Sequence, residues 1–261
     1  MKNTASNIAL RWLTLLAVLL NIAFNGLYTR IFNTPDIAEI SRSYNDLFTP
    51  AGYVFSIWGL IYLSFVIYAI VQLLPSQRNV KIYDQLSPYL IAANILGSAW
   101  ILAFTHRYIL LSLIILIITL VISIVMLTRS TRAIEDRNFN RWLWVPFSLF
   151  CGWISVATIA CAAVTLIDLK WDGASLTAEQ WTIAMVIVAG ALAIVVESRY
   201  NNFIYPLVIV WASIGIWDQR QLDHPNIGMI ALVSSIFILL FVMCHALVRF
   251  FQTEGGIVNH K

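Results

Sequence analysis

The chain has 261 residues, of which 60% are apolar and only 11% charged, with a mean hydropathy of +0.82 and a formal net charge of +3. No water-soluble fold of this length hides so much apolar surface, which excludes a soluble catalytic domain. The sixteen Lys and Arg lie mostly between apolar runs and form no basic tract, which excludes a nucleic-acid partner.

Eight apolar runs follow one another, at about 8 to 31, 53 to 74, 88 to 105, 108 to 128, 142 to 167, 179 to 196, 203 to 217 and 227 to 250. Each is long enough, or nearly so, to cross ~30 Å of hydrocarbon as a helix. The expected fold is therefore all-α, a polytopic membrane bundle of about eight transmembrane helices. Lys2 and Arg11 precede the uncharged part of the first run, Trp12 to about Leu27, as in a secretory signal, but the apolar stretch runs on to about Ile31 without a small-x-small cleavage site, so it reads as an uncleaved first span. Between the first two runs, Thr34 suits an N-cap, Pro35 a first helical turn and Asp36 the helix dipole. Ile37, Ile40, Tyr44, Leu47 and Phe48 then recur near helical spacing until Thr49-Pro50-Ala51-Gly52 stops them. This predicts a short amphipathic helix over the outer mouth of the bundle, or one resting at the membrane interface. Only Thr105-His106-Arg107 separates the third and fourth runs, which must be tight antiparallel neighbours.

An even number of spans places both termini on one side. That side carries eleven of the sixteen Lys and Arg, against five opposite, so the positive-inside rule predicts a multi-pass protein of the cell membrane with cytoplasmic termini. Cys151, Cys161 and Cys244 sit inside apolar runs without CxxC spacing, which predicts neither a disulfide framework nor a metal site. No acidic or basic residue lies mid-span; Arg11 and Arg249 are placed to snorkel from the span ends, and His245 reads as one partner of an interhelical hydrogen bond. Asn21 and Asn25, Asn94 and Ser98, and Ser155 and Thr158 sit three or four apart on three runs. They form either interhelical hydrogen bonds or a polar seam facing a ligand. Trp58, Trp100, Trp153 and Trp211 lie too deep for interface anchors and serve packing or the stacking of a flat ligand. Nucleophile-elbow, P-loop, dinucleotide and HExxH motifs are absent, so no catalytic residue, cofactor or metal ligand is assigned.

Residues 43 to 62, SYNDLFTPAGYVFSIWGLIY, resemble the TspO/MBR family of tryptophan-rich sensory or translocator proteins. That family has a WYxxL loop segment, a proline turn and WVFxxVWxxLY entering the second helix. Tyr44, Leu47, Pro50, Val54, Phe55, Trp58 and Tyr62 match at the expected spacing. Asn94 with Trp100, and Pro146 followed by Trp153-Ile154-Ser155-Val156-Ala157, resemble the family's third and fifth helices. The departures are Ser43 and Tyr53 where the family has tryptophans, Gly97 for another, and Cys161 for an asparagine.

The resemblance covers about residues 8–168. It implies a TspO-like five-helix domain at 1–168, with 169–261 a three-helix extension. It also implies an outward pocket for a flat apolar ligand, a tetrapyrrole or a sterol- or carotenoid-like lipid, lined by Asn25, Tyr44, Tyr53, Phe55, Trp58, Tyr62, Asn94, Trp100, Trp153, Ser155 and Ala157. Binding or sensing is the leading expectation, with small-molecule transport and porphyrin degradation as alternatives. Ala189 and Ala193 allow close helix approach, within the chain or in a homodimer.

Overall fold

The computed structural model describes residues 7–35, 37–137, 141–171 and 173–258. Among these, the secondary structure is entirely helical: α1 (Ile8–Phe32), α2 (Ile37–Ser43), α3 (Ile57–Val71), α4 (Lys81–Thr105), α5 (Ile109–Arg137), α6 (Val145–Asp168), α7 (Ala178–Tyr200), α8 (Ile204–Arg220) and α9 (Pro225–Val258), with short 3-10 turns at Gly52–Ser56, Pro75–Gln77 and Arg141–Trp144. A helix satisfies its backbone polar groups within itself, the requirement that hydrocarbon imposes. All eight apolar runs are helical and seven helices are long and apolar enough to span; α8, at 17 residues, is the short one. Its brevity fits its position, since Tyr205, Val208, Ile209, Ala212 and Ile216 are buried against protein.

α6 is the hub, packing on α3, α5, α7 and α8. α1 packs on α3 and α4, α4 on α5, and α7, α8 and α9 on one another. One continuous core runs from Val18 to Val242. Tight reversals end two spans. Arg107 and Lys170 adopt left-handed backbone, while Tyr108 N–H bonds to Ala103 O and Trp171 N–H to Leu166 O, each over a second bond from the left-handed residue. This caps the orphan carbonyls of α4 and α6 and turns the chain straight into the next element.

Three expectations change. The third apolar run is seven residues longer than its hydropathy shows, because α4 starts at Lys81 and carries Pro88 inside it. Arg11 does not snorkel to water. It is 2% exposed, and its guanidinium donates to Asp84 Oδ1 (2.8 Å), Gln72 O (2.8 Å), Gln77 O (2.9 Å), Val80 O (3.0 Å) and Arg78 O (3.4 Å), tying α1 to the turn between α3 and α4. Thr34 makes no capping bond, its hydroxyl being buried without a partner among the described residues, and Asp36 lies outside them. His245 Nδ1 does pair between helices, 3.0 Å from Glu197 Oε1 of α7.

Candidate functional site

The short helix α2 and the turn after it form a lid. Asp46 holds the turn: its Oδ1 accepts from Phe48 N–H (3.0 Å) and Thr49 N–H (2.7 Å), while the Ser41 and Thr49 hydroxyls meet at 2.7 Å. Burial raises the Asp46 carboxyl above its ordinary value, against the opposing pull of these hydrogen bonds and the charge of Arg220. The lid is fastened from the far end of the sequence. Arg220, at the end of α8, donates to Asp46 O (2.6 Å) and Leu47 O (3.2 Å), Gly215 O accepts from Ala51 N–H (3.1 Å), and Trp211 Nε1 donates to Val54 O (3.0 Å). Gly215 is required here, since a Cβ would overlap Val54 and lie 3.1 Å from Pro50 Cβ.

Beneath the lid is a narrow cavity of about 60 Å³ among α1, α3, α4, α5 and α6, roofed by Ile37, Ser41, Thr49 and Pro50. A wider cleft of about 440 Å³ adjoins it between α1, α3 and α4, and Asn25, Ile37, Phe55, Trp58, Tyr62 and Trp100 line both. The wall is aromatic. Trp58 stacks on Tyr62 (5.3 Å between centroids) and meets Trp153 edge-on (6.3 Å); Phe55 meets Trp153 edge-on (5.6 Å), and Trp100 stacks on Phe104 (5.1 Å). Helical spacing explains the convergence, since Phe55, Trp58 and Tyr62 recur at three and four residues and present one face. Gly26 and Gly59 have open space where a Cβ would stand.

The polar edge is the amide seam, formed between α1 and α4. Asn21 Nδ2 donates to Asn94 Oδ1 (3.0 Å), and Asn21 Oδ1 accepts from Asn25 Nδ2 (2.7 Å) and Ser98 Oγ (2.9 Å). Asn94 Nδ2 turns to Leu90 O (2.7 Å). The seam is thus both an interhelical network and part of the cavity wall. Trp153 Nε1 is different: it is buried with no hydrogen-bond partner among the described residues. Trp100 Nε1 likewise makes no bond, lying beside the thiol of Cys161, a poor acceptor.

Of the residues singled out in the sequence, Asn25, Phe55, Trp58, Tyr62, Asn94, Trp100, Trp153 and Ala157 come together around the cavity. Three lie elsewhere. Tyr44 sits under the Arg107 guanidinium at the lid's rim (5.6 Å), half-exposed Tyr53 packs edge-on against Trp211 (5.5 Å), and Ser155 accepts from Tyr205 Oη of α8 (2.9 Å). Two of the departures, Gly97 and Cys161, line the cavity. The sequence left Asn21 open between an interhelical bond and a ligand-facing seam and did not mark Phe150. Phe150 lies three residues before Trp153 and Asn21 four before Asn25, so helical spacing from assigned residues was the available signal. Arg220 had no such signal, being 174 residues from Asp46.

No curated protein and no solved structure matches the chain. The sequence pattern of the family described as TSPO-like protein does match, over residues 11–244, running through α7 and α8 and into α9 as well as the five preceding spans. With the helical bundle, the matched loop motif and this extent of match, the chain belongs to the TSPO-like protein family.

Proposed function

We propose that the chain is a membrane binding and sensory protein for a flat, apolar ligand, a tetrapyrrole or a sterol- or carotenoid-like lipid, held beneath the lid. The observation that carries this reading is the convergence of Trp58, Trp100 and Trp153, with Phe55 and Tyr62, on a cavity whose polar edge is three amides. Such walls offer large stacking area, and the few fixed polar groups set orientation. With both termini cytoplasmic, as the charge asymmetry indicates, the lid faces the outside of the cell membrane. Residues 169–261 then act as a three-helix unit that fastens the lid through Arg220, Gly215 and Trp211.

The test is a titration of detergent-purified protein with protoporphyrin IX, its uncharged dimethyl ester and a sterol, following tryptophan quenching in the wild type and Trp58→Ala. Removing a stacking indole costs ~1 kcal/mol or more beyond its area, so saturable binding should weaken about tenfold in the variant. Equal affinity in both proteins for every compound would remove the ligand from this cavity.

A further inference from the structure

We infer that a second cavity, walled by Trp171, Trp181 and Asp46 between the lid turn and the connection from α6 to α7, binds a methylated ammonium group. This site does not depend on a ligand beneath the lid, because the second cavity shares no lining residue with the narrow cavity or its adjoining cleft.

The second cavity measures about 240 Å³ and lies where Asn45, Asp46 and Leu47 face the end of α6 and the start of α7. Its aromatic wall is built by the connection. Gly173 has a φ of 84°, and a Cβ there would overlap Leu176 O, so the chain reverses sharply at a position that needs glycine. Thr177 and Gln180 then form the capping box that starts α7. The reversal brings Trp181 back onto Trp171, the two rings meeting edge-on at 4.9 Å between centroids. Trp181 Nε1 donates to Gly173 O (2.8 Å), which fixes the ring. The Thr182 hydroxyl is likewise spent, on Ala178 O (2.9 Å).

Charge selects the occupant. Among the described residues, Asp46 is the only charged one lining the cavity, and it is 2% exposed. Its Oδ1 accepts from Phe48 N–H and Thr49 N–H, and the Ser41 hydroxyl lies 3.4 Å from its Oδ2. No described Lys, Arg or His pairs with the carboxylate. Arg220 donates instead to the backbone carbonyls of Asp46 and Leu47 and pairs with Asp223 Oδ2 (3.0 Å). The hydrogen-bonding capacity of Asp46 is thus largely met while its charge has no partner, a deficit that a cation in the cavity offsets. An anion would meet like charge and no lining cation. A quaternary ammonium carries no N–H that would be left unmet, and its methyls pack on indole faces and on Leu176 and Met185 of the same wall. Free methylated amines and choline lipid headgroups both carry this group.

The experiment compares choline with 3,3-dimethylbutanol, the same shape with carbon in place of the charged nitrogen. Full-length protein labelled with fluorotryptophan is placed in phosphatidylglycerol nanodiscs, and the fluorine NMR resonances of Trp171 and Trp181 are assigned from Trp171→Phe and Trp181→Phe. Choline should shift both resonances saturably, and the neutral alcohol should bind at least tenfold more weakly. Asp46→Asn, which keeps an acceptor for Phe48 and Thr49, should weaken choline about tenfold and leave the alcohol within about twofold. Trp171→Ala, in the connection and outside the lid, should weaken choline about fivefold, read at Trp181. Nanodiscs of phosphatidylcholine separate the sources: the same shift without added choline supports a headgroup as the occupant, and its absence beside a positive choline titration supports a free amine. No saturable shift at Trp171 and Trp181 in either lipid, an alcohol that binds as tightly as choline, or choline affinity unchanged in both Asp46→Asn and Trp171→Ala would overturn the inference.

Discussion

Replacing Arg220 by alanine should unfasten the lid without disturbing the bundle. The guanidinium is 14% exposed on its side chain and donates to Asp46 O at 2.6 Å and Leu47 O at 3.2 Å. Hydrogen bonds from a charged donor contribute ~1.5–3 kcal/mol each when partly buried. The two freed carbonyls lie at the rim and can rehydrate, and the Asp46 turn keeps its own bonds, so ~2–3 kcal/mol is the reasonable net loss. At ~1.4 kcal/mol per factor of ten, lid opening becomes about 30- to 150-fold more frequent. Native-state hydrogen exchange reads this directly at the amide of Ala51, which bonds to Gly215 O of α8 only while the lid is closed. Arg220→Lys should fall between, because an ammonium cannot fork two carbonyls in the fixed geometry of a guanidinium. Amides in α4 serve as the internal reference. Unchanged protection at Ala51 in Arg220→Ala would refute the clamp and the role given to the C-terminal helices.

Arg11→Met should lower thermal stability in detergent by roughly 3–5 kcal/mol, since it leaves a partly buried Asp84 and several turn carbonyls without their donor; a loss under ~1 kcal/mol would show the network to be dispensable. Gly215→Ala should cost about 1–3 kcal/mol through overlap with Val54 and raise exchange at Ala51, and Val54→Ala in the same chain should recover much of both. Asp46 provides a pH test. Burial raises its folded value above the ordinary 3.8, so the folded lid binds more protons than the open one just above that pH. Lid stability therefore falls as pH rises through that window and is flat above it, and Asp46→Asn removes the dependence while keeping an acceptor for Phe48 and Thr49. Lid opening corrected for intrinsic exchange, followed across the window in both proteins, checks the sign.

Which features were legible in sequence follows from the range of the interactions. Hydrocarbon leaves a chain no alternative to self-satisfied helices, so apolar runs located all eight long helices, seven of them long and apolar enough to span, and helical spacing alone put Phe55, Trp58 and Tyr62 on one face. The start of α4 was missed because Lys81, Asp84 and Pro88 read as a boundary, while burial and the Arg11–Asp84 pair hold the extra turns helical. Arg11 and Ser155 show the same limit from the other side. Each has a polar group suited to several surroundings, and only the packing of α1 against the α3–α4 turn, and of α6 against α8, decided which partner it met. The convergence of Trp58, Trp100 and Trp153 on one cavity likewise depends on which faces of five helices meet. Above all, the three C-terminal helices read as an addition to the bundle. That one of them, α8, holds the lid through Arg220, Gly215 and Trp211 was decided by contacts more than 150 residues apart, for which local periodicity carries no information.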